Sequence, residues 1–275
     1  MSRRKPNNNQ NNTPAFSEKD FLVTTREEMD RRGWKQLDVV LISGDAYIDS
    51  PFIGTSVVGR MLEKMGYKVG IIGQPDIDSA DDIGRLGEPR LFWGVSGGSI
   101  DSMVSNYPAT KKFRNSDDYT PGGKNEKRPD RAVLVYSNLI RRFYKNTVPI
   151  VLGGIEASLR RVTHYDYWSN KLRKPILFDS KADILVYGMG EIALKELVTA
   201  LDEGSDYRDI RGISYIAKEP VEEFIQVASH AECLEDKNKY MNHFDSSYVN
   251  NDTISSHGRR KTGDTRDSIQ EPTWD

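Results

Sequence analysis

The chain has 275 residues, of which 37% are hydrophobic and 29% charged, with a formal net charge of −2 at pH 7. That length allows one large α/β domain or two small ones, and that charge gives no electrostatic reason to expect a polyanion partner. No apolar run is long enough to span a membrane, and the basic Arg3, Arg4 and Lys5 lead into Asn-rich sequence, not an apolar signal core, so the expected location is the cytoplasm.

Residues 1–16 are Asn-rich and of low complexity, which predicts a disordered tail. A single α/β domain is expected over 17–235. Ser17 to Gly33 reads as helical, with a capping-box-like start at Ser17 to Asp20. Leu37 to Ile42 is the first strand. The helix from Gly54 to Met65 spaces Val58, Met61, Leu62 and Met65 on one apolar face, and Gly66 closes it. Val69 to Ile72 is the second strand, Asp81 to Leu86 a short acidic helix, and Leu91 to Val95 the third strand. Alternating strands and helices with short connections define a doubly wound, mainly parallel, Rossmann-like sheet.

Asn106 to Asp130 interrupts that rhythm. Its lysines and arginines are balanced by Asp117, Asp118, Glu126 and Asp130, which reads as a solvated loop. A helix follows over Arg131 to Asn146. Ile150 to Leu152, bounded by Pro149 and the pair Gly153-Gly154, reads as a strand buried on both faces. Then comes a basic–aromatic segment, Ser158 to Trp168. Ile184 to Tyr187 is the fifth strand, Glu191 to Leu201 its helix, and Ile213 to Ile216 an edge strand. Helical pieces are expected over Glu222 to His230. Residues 236–275 turn polar and predict a tail or linker.

Several separated stretches resemble one family. Pro51, Gly54, Leu62, Gly66, Tyr67 and Val69 look like the first β-α-β unit of the cobalamin-binding-type domain that precedes many radical-SAM cores. Gly153-Gly154 and the run Ala182 to Glu191, ending Gly188-Met189-Gly190-Glu191, are similar to two further stretches of that domain. Ser43 to Pro51, Gly153 to Arg161 and Tyr165 to Trp168 resemble the YgiQ-like radical-SAM proteins most specifically. The resemblance implies a [4Fe–4S] cluster and S-adenosylmethionine in the full-length protein, held by Cys-x-x-x-Cys-x-x-Cys in a later domain. This chain has one cysteine, Cys233. One thiol excludes an intramolecular disulfide and a cysteine-ligated zinc or iron–sulfur site within the chain. The expectation is therefore an N-terminal portion whose main partner is the missing catalytic domain, with an unidentified small-molecule substrate. The loop after the first strand also lacks the histidine that serves as lower ligand in true cobalamin modules, so corrinoid binding through that ligand is not supported.

The candidate cofactor-binding residues are Asp45, Gly153, Gly154, Glu156, Gly188 and Glu191, all at the carboxyl ends of strands, where open α/β sheets bind ligands. Each has a plainer reading. Asp45, with Tyr47 and Asp49, has the types for acid–base work, yet such aspartates more often hold backbone N–H groups. Glu156 fits an ion pair with Arg160 one turn on. Glu191 suits the first turn of its helix and would repel an anion there, which favours a neutral or cationic contact. Arg160, Arg161, His164, Tyr165, Tyr167 and Trp168 are basic and aromatic. They fit domain docking better than single-stranded nucleic acid. No phosphate loop of the Gly-x-x-x-x-Gly-Lys-Ser/Thr type is present. A stand-alone small-ligand or RNA-binding module remains the second reading.

Overall fold

The structure, a computed structural model, describes residues 21–222, 224–251 and 269–271. The expected N-terminal tail and the start at Ser17 lie outside them. In chain order the elements are α1 (Arg26–Arg31), β1 (Val39–Ser43), α2 (Gly54–Lys64), β2 (Val69–Gly73), α3 (Ala80–Ile83), β3 (Phe92–Ser96), α4 (Ser102–Asn106) and α5 (Ala132–Phe143). Then follow β4 (Ile150–Gly153), α6 (Gly154–Ser158), β5 (His164–Asp166), β6 (Lys171–Arg173), α7 (Ile176–Ser180), β7 (Ile184–Val186) and α8 (Glu191–Glu203). The chain continues through β8 (Ile213–Tyr215), β9 (Ile225–Gln226), α9 (His230–Glu235), α10 (Lys237–Asn251) and β10 (Ile269–Gln270).

The main sheet runs β2-β1-β3-β4-β7-β8. The first five strands are parallel, and β8, at the edge where the sequence places it, is antiparallel to β7. The five parallel strands thus follow the 2-1-3-4-5 order of flavodoxin-like doubly wound folds. The unbroken apolar runs have a direct cause. Val39 and Leu41 of β1 pack with Leu62 of α2 and Leu197 of α8 on one face. Val40 and Ile42 pack with Tyr136 and Ile140 of α5 on the other. A strand covered by helices on both sides has no polar face to show.

Two segments depart from the reading of the sequence. Ser17 to Gly33 is helical only from Arg26, among its described residues. Upstream, buried Leu22 and Val23 run alongside the sheet, and Ile71 N–H donates to the Val23 carbonyl at 2.8 Å. Helix α1 starts where Thr25 and Glu28 form a capping box. Likewise Glu222 to His230 holds β9, and the helix begins at Ser229, whose capping box with Glu232 fixes it. Within 236–275, the described residues form α10, packed on α9, and β10, paired with β9. Among the described residues no helix is long and apolar enough to cross a membrane.

Candidate functional site

In the 2-1-3-4-5 order the crossovers change side between β1 and β3. That switch point is where the crevice for a ligand opens. Asp45 stands there, 1% exposed. Its carboxylate accepts the Ser99 N–H at 2.6 Å and an Arg128 N–H at 2.7 Å. The Arg128 side chain is 0% exposed. It forks onward to Asp117 Oδ2 at 3.1 Å and to the Gly97 carbonyl at 2.7 Å. Gln74 Nε2 donates to the Gly44 carbonyl at 3.0 Å and to Thr120 Oγ1 at 2.6 Å, and Ala46 N–H donates to the Tyr119 carbonyl at 3.0 Å.

Thus 106–130 is not simply a solvated loop. Its outer edge is exposed, but Asp117, Thr120, Asn125 and Arg128 turn inward and are buried. The segment fills the mouth between β1 and β3 with the chain's own side chains. Close packing there requires glycine: a Cβ on Gly44 would lie 2.1 Å from the Gly97 carbonyl oxygen. Burial pushes the Asp117 carboxyl up. The Tyr119 N–H, the Arg128 guanidinium and the Thr120 hydroxyl outweigh it and hold the group below its ordinary value.

Glu156, in α6, is buried and accepts the Ser102 N–H at 2.9 Å and the Val133 N–H at 3.0 Å. One carboxylate therefore serves the amino ends of α4 and α5. Burial and the nearby Asp101 charge push its pKa up. The expected Glu156–Arg160 ion pair does not form. Arg160 pairs with Asp101 instead and reaches Glu156 only at its backbone carbonyl, 2.9 Å away. Asp101 is the N-cap of α4, so its carboxylate is already fixed beside Arg160.

The remaining candidates lie at an open mouth, across the carboxyl ends of β4 and β7. Gly153 ends β4, and Gly154 follows at φ +79°, where a Cβ would meet Ser96 Oγ at 2.7 Å. Gly188 has φ +68° with open space around it. Its N–H donates to Ser158 Oγ at 3.3 Å, which ties the β7–α8 loop to α6. Glu191 is exposed in the first turn of α8. Asp45 and Glu156 are therefore buried structural acceptors, while Gly154, Gly188 and Glu191 face solvent. Tyr47 and Asp49 do not join Asp45: Tyr47 Oη accepts the Leu22 N–H at 3.0 Å and Asp49 pairs with Arg60. A shallow depression of about 340 Å³ beside Lys35, Asp38, Lys68 and Arg90 lies at the opposite, amino ends of the strands, away from the ligand-binding edge.

The basic–aromatic segment, Ser158 to Trp168, runs from the end of α6 through β5 into the turn of the β5–β6 hairpin. Tyr165 and Tyr167 are half exposed. Trp168 is partly covered by Tyr107, at 5.6 Å between ring centroids, and by Tyr167 at 5.2 Å. Lys111 Nζ donates to the Tyr167 carbonyl at 3.0 Å. The hairpin's outer aromatics are thus shared between the chain's own insertion and solvent. Burial drives the His164 pKa down to about 4.

Among the described residues nothing offers an iron–sulfur cluster its ligand set. Cys233 is buried, its thiol directed at the Ala228 carbonyl and pushed by burial up to about 11, and among the described residues no His/Cys/Asp/Glu group has metal-ligand spacing. The switch-point mouth, where a corrinoid or dinucleotide would sit in this fold, is filled by Arg128 and its partners.

The family described as "Radical SAM N-terminal" matches residues 21–274. The chain belongs to that family, and the YgiQ-like resemblance of its motifs lies within the matched span. A UPF0313 protein of Fusobacterium nucleatum is 57% identical over 92% of this chain and 44% of its own length. One from Thermotoga neapolitana is 55% identical over 80% of this chain and 39% of its own. The chain thus spans less than half of these relatives. A solved radical S-adenosylmethionine methyltransferase, TsrM, from Kitasatospora setae, with tryptophan substrate and SAM analog bound, aligns with 66% of this chain and 28% of its own, at TM-score 0.44 and 21% identity.

Sequence reasoning missed Arg128, Asp117 and Asp101. Asp101 was accessible, since an aspartate after a Gly pair and before a short apolar run is an N-cap signal. The Arg128–Asp45 pair spans 83 residues, and no local pattern marks it.

Proposed function

We propose that the chain works as the N-terminal domain of a radical-SAM [4Fe–4S] enzyme, and that the chemistry belongs to a cluster-bearing domain elsewhere in the longer polypeptide. The observation that carries this reading is an uncovered apolar rim on the carboxyl edge of the sheet. Phe52, after β1, is 90% exposed, and Met189 and Ile192, after β7, are 94% and 74% exposed. Ile48, Ile155 and Leu159 extend the rim. Uncovered apolar surface of this kind marks an interaction site. In a chain that spans 44% of a relative at 57% identity, the remaining portion is the partner that fits. Tyr165 and Tyr167 lie on the hairpin that follows α6 and enlarge the surface offered. Cluster, S-adenosylmethionine and small-molecule substrate then meet outside this chain, in a cytoplasmic protein.

Hydrogen exchange on the 275-residue chain and on the longer protein tests the docking. Slower deuterium uptake around Phe52 and over 188–192 in the longer protein is expected. Equal uptake in the two would overturn it.

A further inference from the structure

Four buried or half-buried arginines of this chain each hold a carboxylate. Arg128 holds Asp45 and Asp117, Arg131 holds Asp166, Arg160 holds Asp101, and Arg173 holds Asp179. Arg161 differs. Its guanidinium makes one hydrogen bond, to the Ser158 carbonyl, and lies over the Tyr187 ring at 5.1 Å from the centroid. No carboxylate among the described residues forms a salt bridge with it. An arginine has five N–H donors, so most of those on Arg161 have no acceptor among the described residues. Burial also lowers its pKa, opposite to the direction for Arg128 and Arg160, because the Tyr187 phenol offsets the desolvation only in part and no carboxylate adds to it. A cation partly removed from water without a counter-charge carries an energetic cost that an incoming anion would relieve.

Its position gives that cation a use. Ser158 ends α6, which follows β4, and Tyr187 directly follows β7. Arg161 therefore spans the carboxyl ends of these two strands. The neighbouring switch-point mouth is filled by Arg128 and the 106–130 insertion, whereas this mouth is open: Gly188 has free space about its Cα, and Gly190 caps α8 without a side chain. The sequence alone sets Glu191 against an anion at this mouth, but Glu191 is exposed to water, where its charge is screened, while the Arg161 cation is only partly exposed.

We propose that Arg161, seated on Tyr187, binds the anionic group of a small molecule, a carboxylate or a phosphate, at the open mouth between β4 and β7. The guanidinium fork suits either group, since both present two oxygens to parallel N–H donors. The proposal does not depend on the radical-SAM reading, because it concerns this domain's own ligand.

The test is a nitrogen-15 NMR titration of the 275-residue chain at constant ionic strength, following the Arg161 Nε–Hε signal, assigned by its loss in Arg161→Lys, together with the backbone amides of Gly188 and Gly190. Inorganic phosphate and acetate are added in separate arms. Saturable displacement of these signals in either arm, with that of the two glycine amides weakened roughly tenfold or more in Arg161→Gln as loss of one charge-assisted contact implies, is the expected result. The stronger arm tells phosphate from carboxylate. Arg161→Gln loses only the Ser158 contact and the ring contact, and its amide spectrum reports whether it is folded. Tyr187→Leu provides a second variant that keeps the cation and removes its seat, with weaker binding expected. A linear, unsaturated displacement in both arms, or displacement of the Gly188 and Gly190 amides at the same affinity in Arg161→Gln, would overturn the assignment.

Discussion

Replacing Arg128 by Met tests whether the insertion is a fixed plug. Met keeps much of the volume and removes the guanidinium. In the native chain that group is fully buried and satisfies Asp45 at 2.7 Å, Asp117 at 3.1 Å and the Gly97 carbonyl at 2.7 Å. Its loss leaves two buried carboxylates without their cation. Asp45 keeps the Ser99 N–H, and Asp117 keeps the Tyr119 N–H and the Thr120 hydroxyl, but neither donor carries charge. Breaking a buried pair this way costs about 3–5 kcal/mol. Urea melts followed by circular dichroism measure it, with an unchanged slope showing that the folded state is still compact. Removing all three charges together, as Asp45→Asn, Asp117→Asn and Arg128→Met, should recover part of the loss. The acid limb adds a sign. Asp117 is held below its ordinary value. Its contribution is therefore present above the unfolded value of about 3.9, and is lost as pH falls through the lower folded one. Arg128→Met should flatten that limb. A loss below about 1 kcal/mol, the range of exposed pairs, would refute the plug.

Two further outcomes follow from the same geometry. Gly154→Ala should destabilise more than Gly188→Ala, because both sit at positive φ but only Gly154 would drive a Cβ to 2.7 Å from Ser96 Oγ; Gly188→Ala should show only the left-handed backbone cost of about 1–2 kcal/mol, and equal losses in thermal melts would contradict this. His164 should titrate near 4 by proton NMR, since burial holds it neutral; its contribution to stability is then complete above its unfolded value of about 6.5 and declines as pH falls from there toward 4, whereas a titration near 6.5 would contradict the burial.

Much of the fold was legible because burial on both faces leaves its mark in single strands. Val39 to Ile42 and Ile150 to Leu152 carry no polar residue, and both are interior, with β3 between them. The edge strand at Ile213 was readable from Ile213, Tyr215 and Ile216, β-branched or aromatic residues ahead of a polar stretch. The helix α10 was not, because its residues Tyr240, Phe244 and Tyr248 lie on an otherwise polar background. Of the candidate site, the positions at the carboxyl edge were readable from the glycines, but their roles were not. Asp45 and Glu156 sit at the right ends of strands and still serve the chain's own N–H groups and Arg128. Whether a carboxylate faces a ligand or a backbone amide depends on what the insertion does, and 106–130 has no period that tells its buried side from its wet one.

Anaerobic reconstitution with iron and sulfide, applied side by side to the 275-residue chain and to the longer protein, separates a non-catalytic N-terminal domain from a self-sufficient enzyme. The longer protein should retain about four irons per chain with the charge-transfer absorption of a [4Fe–4S] centre, while the 275-residue chain, with Cys233 as its one thiol, should retain none after desalting. Stable, stoichiometric iron with that absorption on the 275-residue chain alone would contradict the assignment of the chemistry to another domain.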